Sequence, residues 1–97
     1  MSHIIQFDTL QMVAEESVRA LNKHGAGKVL TNITMPRDEK LAALGEEFGE
    51  VCKELTYDHG DRANLIKELI QTANLAAAWA QAEMALANME PNALLNK

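Results

Sequence analysis

Residues 61–91 read DRANLIKELIQTANLAAAWAQAEMALANMEP, the longest stretch of the chain with helical periodicity. Asp61, or Asp58 in the turn before it, is suited to cap the start of this helix, and Pro91 prevents its continuation beyond about Met89. Two apolar stripes run along it, Leu65-Leu69-Ala73-Ala76-Ala80 and Ile66-Ile70-Ala77-Met84. A helix that is apolar on more than one side must be covered on more than one side. The stretch therefore predicts the longest helix of an all-α fold.

Two shorter helices are predicted before it. The first starts near Asp8, with Gln11 completing a capping box, and stops at His24-Gly25. The second begins at Pro36, which suits a first helical position, and ends near Tyr57. Residues 25–34 between them are predicted to be a loop or a short extended turn.

The second helix carries two stripes with different properties. One is an apolar packing stripe, Leu41-Leu44-Phe48-Val51-Leu55, and the other consists of small residues, Ala42-Gly45-Gly49-Cys52. Each glycine inside a helix costs about 1 kcal/mol relative to alanine, so we expect another helix backbone to approach closely there. Cys52 is expected to be a reduced residue of the core.

The size of the chain favours one domain over residues 1–97, with 92–97 as a loose tail. Fifteen alanines and four aromatic residues supply little core volume, and a single cysteine excludes an internal disulfide. Oligomerisation is the usual remedy for a thin core. We therefore expect an antiparallel helical bundle completed by oligomerisation, as a homodimer or homotetramer.

Charge and hydropathy limit the partners. A net charge of −5 argues against binding to a nucleic acid polymer, but not against a single nucleotide whose phosphates are bridged by divalent cations. The first ten residues lack the pattern of a signal peptide. The longest uncharged stretch, Leu69 to Ala82, is shorter than the roughly 20 residues of a membrane span. The expectation is a cytoplasmic protein without membrane contact.

Acidic residues repeat at helical spacing on the second and third helices. Glu47, Glu50 and Glu54 share a stripe, and Glu68 with Gln71 repeats the three-residue interval. Antiparallel packing would bring these polar groups together, and converging carboxylates are the ligands that Mg²⁺ prefers. The alternative is a solvated face without function on a structural oligomerisation module, and the spacing alone does not decide between them.

The segments LGEEFGEV (44–51) and KELIQ (67–71) resemble the MazG-like group of all-α nucleoside triphosphate pyrophosphohydrolases, over about Leu41 to Gln81. The motif of that group is two glutamates three apart on one helix, then a glutamate and an aspartate three apart on the next. The resemblance implies Mg²⁺, or Mn²⁺, held by Glu47, Glu50, Glu68 and Gln71. It implies hydrolysis of a nucleoside triphosphate to a monophosphate and pyrophosphate, with Glu50 activating the water.

Gln71 departs from the motif, which has aspartate there. Its carbonyl oxygen is a possible metal ligand, but it brings no negative charge and cannot act as a base near neutral pH. A non-catalytic regulator that binds nucleotide or metal therefore stays open beside the enzyme. Substrate-binding residues are not identified by the pattern; the basic candidates are Lys28, Arg37, Lys40, Lys53, Arg62 and Lys67.

Overall fold

Three α-helices make up most of the computed structural model, which describes residues 3–57 and 60–89. They are α1 (Phe7–His24), α2 (Arg37–Thr56) and α3 (Arg62–Met89), and a single 3-10 turn, Ala26–Lys28, follows α1. Over these ranges the chain contains no β-strand. The predicted all-α class is confirmed.

The helices follow an up-down-up order around α3, on which both α1 and α2 pack. Arg37 at the start of α2 binds Glu83 near the end of α3, so these two helices are antiparallel. Met12 lies beside Ile66, whereas Ala20 shares a cavity wall with Ala78, so α1 runs parallel to α3. Each helix is therefore antiparallel to the next along the chain.

The start of α1 differs from the prediction. Gln6 occupies the N-cap position without a side-chain hydrogen bond, and Asp8 lies inside the first turn rather than capping it. The predicted stop is correct, because Gly25 has a φ of 85° and its N–H donates to the carbonyl of Leu21 at 2.9 Å. Glycine adopts this φ without the steric cost of a Cβ.

The connection between α2 and α3 depends on Glu54. The residue is 6% exposed; its carboxylate accepts the Asp61 N–H at 3.1 Å, and its carbonyl accepts the Gly60 N–H at 2.8 Å. The Asp61 carbonyl accepts the Leu65 N–H at 2.8 Å, which places Asp61 directly before the helix. Pro36 lies immediately before α2 rather than at its first position. The alternative cap Asp58, Pro91 and the tail 92–97 lie outside the described residues.

The packing stripe predicted on α2 mostly faces away from the rest of the chain. Val51 is buried and Leu44 half-buried, but Leu41, Phe48 and Leu55 are 60%, 57% and 57% exposed. The reason is the rotation of α2 about its axis: the stripe that meets α3 is instead Lys40-Glu47-Val51-Glu54. Periodicity predicted the helix correctly, and the chain itself covers little of the apolar stripe predicted for helix packing.

The small residues of α2 also face outward. A Cβ added at Gly45 or Gly49 would meet nothing within 4 Å, so the expected close approach does not occur within the chain. Cys52 is exposed, and its assignment to the core is wrong. With Leu41, Phe48 and Leu55 exposed, the line Leu41-Gly45-Phe48-Cys52-Leu55 forms an outer seam with alternating steps of four and three.

The buried apolar core is thin, as expected from the alanine content. It consists of Ala20, Leu30, Val51, Ala78 and Ala82. None of the helices in the described part is long and apolar enough to cross a membrane.

A polar clamp holds the start of α2 to the second half of α3. Arg37 donates to both carboxylate oxygens of Glu83, at 2.8 and 3.1 Å, and the indole N–H of Trp79 donates to Glu83 at 3.1 Å. These donors, Arg37 first, lower the pKa of Glu83 to about 2. Trp79 is half-buried, and the Arg37 guanidinium is already paired with Glu83.

Candidate functional site

Two glutamates and a glutamine meet where α2 crosses the middle of α3. The inward stripe of α2 presents Glu47, and α3 presents Glu68 and Gln71 one turn apart, all three half-buried. The surrounding groups orient the Gln71 amide with its nitrogen toward both carboxylates. It then donates to Glu68 Oε2 at 3.2 Å and to Glu47 Oε1 at 2.5 Å.

The Glu47 carboxyl has an unusual proton affinity for an acidic side chain. Burial raises its pKa to about 7, and a hydrogen bond with Glu68 and the negative charges of Glu68, Glu50 and Glu16 act in the same direction. Near neutral pH Glu47 is therefore poised between its protonated and charged forms. Such perturbed groups are concentrated at functional sites, although structural networks also produce them.

Glu50 does not join this contact. It is exposed, and at 3.6 residues per turn it lies about 60° around the helix from Glu47. Of the four predicted ligands, the structure brings together Glu47, Glu68 and Gln71 and leaves Glu50 beside them. Within residues 3–57 and 60–89 no group of three or more His, Cys, Asp or Glu residues is placed to hold a metal ion.

A cavity of about 250 Å³ opens directly from this contact. Glu47 and Gln71 form part of its wall, and it runs along α3 past Asn74 to Ala78, between α1 and the segment 28–31. Basic side chains from α1 and the following turn line it as well: Arg19, Lys23, His24 and Lys28. Acidic and basic groups therefore share one cavity, an arrangement suited to a ligand that carries both phosphates and a bound cation.

The basic residues of the cavity differ in their availability. Arg19 is paired with Glu16, donating to its two oxygens at 2.8 and 2.6 Å, and Glu16 raises the pKa of Arg19. Lys23 and Lys28 are exposed and have no ion pair within the described residues. Among the six basic candidates from the sequence, Lys28 is the one that lines this cavity.

The loop before α2, for which the sequence predicted no specific structure, is fixed by Asn32. Its side-chain nitrogen donates to the Gly27 carbonyl at 3.1 Å. Its oxygen accepts from the N–H and the hydroxyl of Thr34, at 3.0 and 2.8 Å. These bonds close the loop into a compact turn that carries Lys28 and Thr31 to the cavity.

Sequence reasoning missed the residues that α1 and α3 add to the site. Glu16 and Arg19 come from the first helix, and Asn74, which is 5% exposed, comes from α3. For Asn74 a signal existed, because it follows Gln71 by three residues and therefore lies on the same face of the helix. Comparison of the chain with protein families, with curated proteins and with solved structures finds no match.

The pKa of Glu47 predicts a pH-dependent stability. The pKa rises from 4.5, the ordinary value expected in the unfolded chain, to about 7 in the folded protein. Between these values the folded state binds the proton more tightly, so the free energy of unfolding falls as the pH rises through this window. Glu47→Gln keeps a neutral side chain and should flatten that part of the profile.

Urea unfolding at about pH 5 and about pH 8, on either side of the window, tests this directly. Glu46→Gln is the matched control, because Glu46 is exposed on the same helix. This variant should show the same pH dependence of the free energy of unfolding as wild type. If the free energy of unfolding changes equally between the two pH values in wild type and in Glu47→Gln, Glu47 titrates at its ordinary pKa.

Proposed function

We propose that the protein is a cytoplasmic, Mg²⁺-dependent nucleoside triphosphate pyrophosphohydrolase that releases pyrophosphate and a nucleoside monophosphate. The observation that supports this most strongly is the pairing of Glu47 with Glu68 at the wall of a cavity that also contains basic side chains. The resemblance of residues 44–51 and 67–71 to the MazG-like motif supplies the reaction. The geometry supplies a use for two acids that repel each other, since a shared cation would neutralise both.

The donor atoms suit Mg²⁺ in chemistry and only partly in number. Glu47 and Glu68 would hold the ion through carboxylate oxygens, and a rotation of the Gln71 amide would offer its carbonyl oxygen. In the absence of the ion, a proton on Glu47 and the Gln71 amide relieve the repulsion that the ion would otherwise neutralise. Mn²⁺ would serve with the same oxygen ligands.

The remaining residues have separate tasks in this proposal. Bound Mg²⁺ supplies charge neutralisation and a lowered pKa for the attacking water. Glu50, exposed beside Glu47, would accept a proton from the attacking water, and Lys28 and Lys23 would offset the charge of the phosphates. Arg19 is already paired with Glu16 and is therefore less available to the phosphates than the two lysines.

Pyrophosphate release from a panel of ribo- and deoxyribonucleoside triphosphates, with and without Mg²⁺, tests the activity. Glu47→Gln and Glu68→Gln should each lower turnover at least about 10- to 100-fold, the cost typical even for outer-shell partners of a metal. Glu46→Gln should match wild type, since Glu46 is exposed on the same helix. Turnover that is independent of Mg²⁺, or unchanged in Glu47→Gln, would contradict the proposal.

A second candidate is a non-catalytic protein that binds nucleotide or metal. The observation that favours it is the position of Gln71, whose amide satisfies both carboxylates without a cation. In the enzyme, Gln71→Ala should lower turnover, and Gln71→Asp should tighten Mg²⁺ binding by adding a charge. If the protein is instead a non-catalytic regulator, wild type should bind nucleotide without turnover, and Gln71→Asp should gain some turnover. Absence of both binding and turnover in all three proteins would leave a structural module.

We also propose that the chain is at least a homodimer, with the outer seam of α2 as the contact. Leucine and phenylalanine there flank two small residues, Gly45 and Cys52, which would let a partner helix approach closely. Sedimentation at micromolar concentration should give at least twice the mass of one chain, 10.7 kDa. Phe48→Glu should reduce it to a single chain, and Glu46→Ala should not. A folded wild type at 10.7 kDa would overturn the assembly.

A further inference from the structure

We infer that Asn74 binds the nucleobase of the ligand, with its side-chain amide hydrogen-bonding the edge of the base. The inference rests on the proposed nucleotide-binding function and goes beyond it by assigning a base-reading residue. The residue belongs to α3, one turn after Gln71, and forms part of the cavity wall.

The burial of Asn74 without a partner is the first observation. The side chain is 5% exposed, yet its amide makes no hydrogen bond within the described part of the chain. No side-chain polar atom there is both sealed from solvent and unpartnered, so the Asn74 amide reaches the cavity. The amide therefore faces the cavity with its donor and acceptor unused by the protein, while the rest of the side chain is buried.

The surroundings of Asn74 fit a flat, largely apolar group. Beyond it the cavity is lined by Leu75 and Ala78 from α3 and by Leu30 from the loop, while Lys23 and Lys28 remain exposed. Phosphates are strongly hydrated and favour the exposed lysines, whereas a base gains by burying its faces between aliphatic side chains. Ala78, which has a small side chain, is part of the wall of this cavity of about 250 Å³.

The chemistry of the amide also favours a base over a phosphate. Asparagine presents a donor beside an acceptor, and the unpaired edge of every common base presents a complementary acceptor and donor. Phosphate oxygens only accept hydrogen bonds, so a phosphate would use the NH2 of the amide and leave its carbonyl oxygen unpaired. Recognition of the base would therefore satisfy the whole amide.

Binding measurements without turnover test the assignment. Calorimetric titration with the monophosphates UMP, CMP, AMP and GMP, and with ribose 5-phosphate, which lacks a base, would compare wild type with Asn74→Ala and Asn74→Asp. Asn64→Ala is the matched control, because Asn64 is an exposed asparagine on the same helix.

Asn74→Ala should weaken the binding of at least one nucleoside monophosphate by about tenfold, which is the effect of losing one or two net hydrogen bonds. It should leave ribose 5-phosphate unchanged and should not lower the melting temperature, because no partner of Asn74 is left unsatisfied. Asn74→Asp, which has two acceptors and no donor, should shift the preference toward GMP, whose edge offers two adjacent donors, and away from UMP.

Three results would overturn the inference: no binding of any monophosphate to wild type, equal losses for ribose 5-phosphate, or a lowered melting temperature with unchanged base preference in Asn74→Asp. The outcome is separable from the proposed catalysis. Base-dependent binding without pyrophosphate release supports Asn74 and rejects the enzyme. Pyrophosphate release with unchanged KM for every base in Asn74→Ala supports the enzyme and rejects Asn74.

Discussion

Glu47 and Glu68 face each other across the interface between α2 and α3, and this contact constrains how α2 is oriented against α3. Two carboxylates in a half-buried position need a proton, a donor or a cation between them. In the structure the Gln71 amide donates to both carboxylates, and the raised pKa of Glu47 favours a proton there. The rotation of α2 that brings Glu47 inward also turns Phe48 outward, so the acidic contact and the exposed outer seam are two results of one orientation.

The helices could be predicted because their signals are local: Gly25 ends α1, Pro36 precedes α2, and the turn at Asp61 precedes α3. The inward face of α2 could not. Periodicity reveals two stripes on that helix but not which one meets the same chain, and Leu41 and Leu55 of the apolar stripe are exposed. The usual rule that apolar stripes pack inward fails on α2, where the stripe that faces inward contains Lys40, Glu47 and Glu54.

Glu68 and Gln71 of the candidate site could be predicted, because their three-residue spacing places them on one face of α3 and the MazG-like motif has its second pair of residues there. Glu50 was expected within the same cluster, but its position around the helix keeps it exposed. The contribution of α1 and the loop could not be predicted, since nothing local in Glu16 or Asn32 indicates which tertiary surface they meet. Asn74 was within reach of the same reasoning that found Gln71.

The central proposal is that Glu47 and Glu68 form a pair that takes up either a proton or a cation. Carbon-13 NMR of the glutamate carboxyl groups during a pH titration, with and without Mg²⁺, observes this pair directly. The account predicts that Glu47 titrates near its raised pKa of about 7 without Mg²⁺ and at a distinctly lower pH with it. Titration of Glu47 near 4.5, unchanged by Mg²⁺, would contradict it.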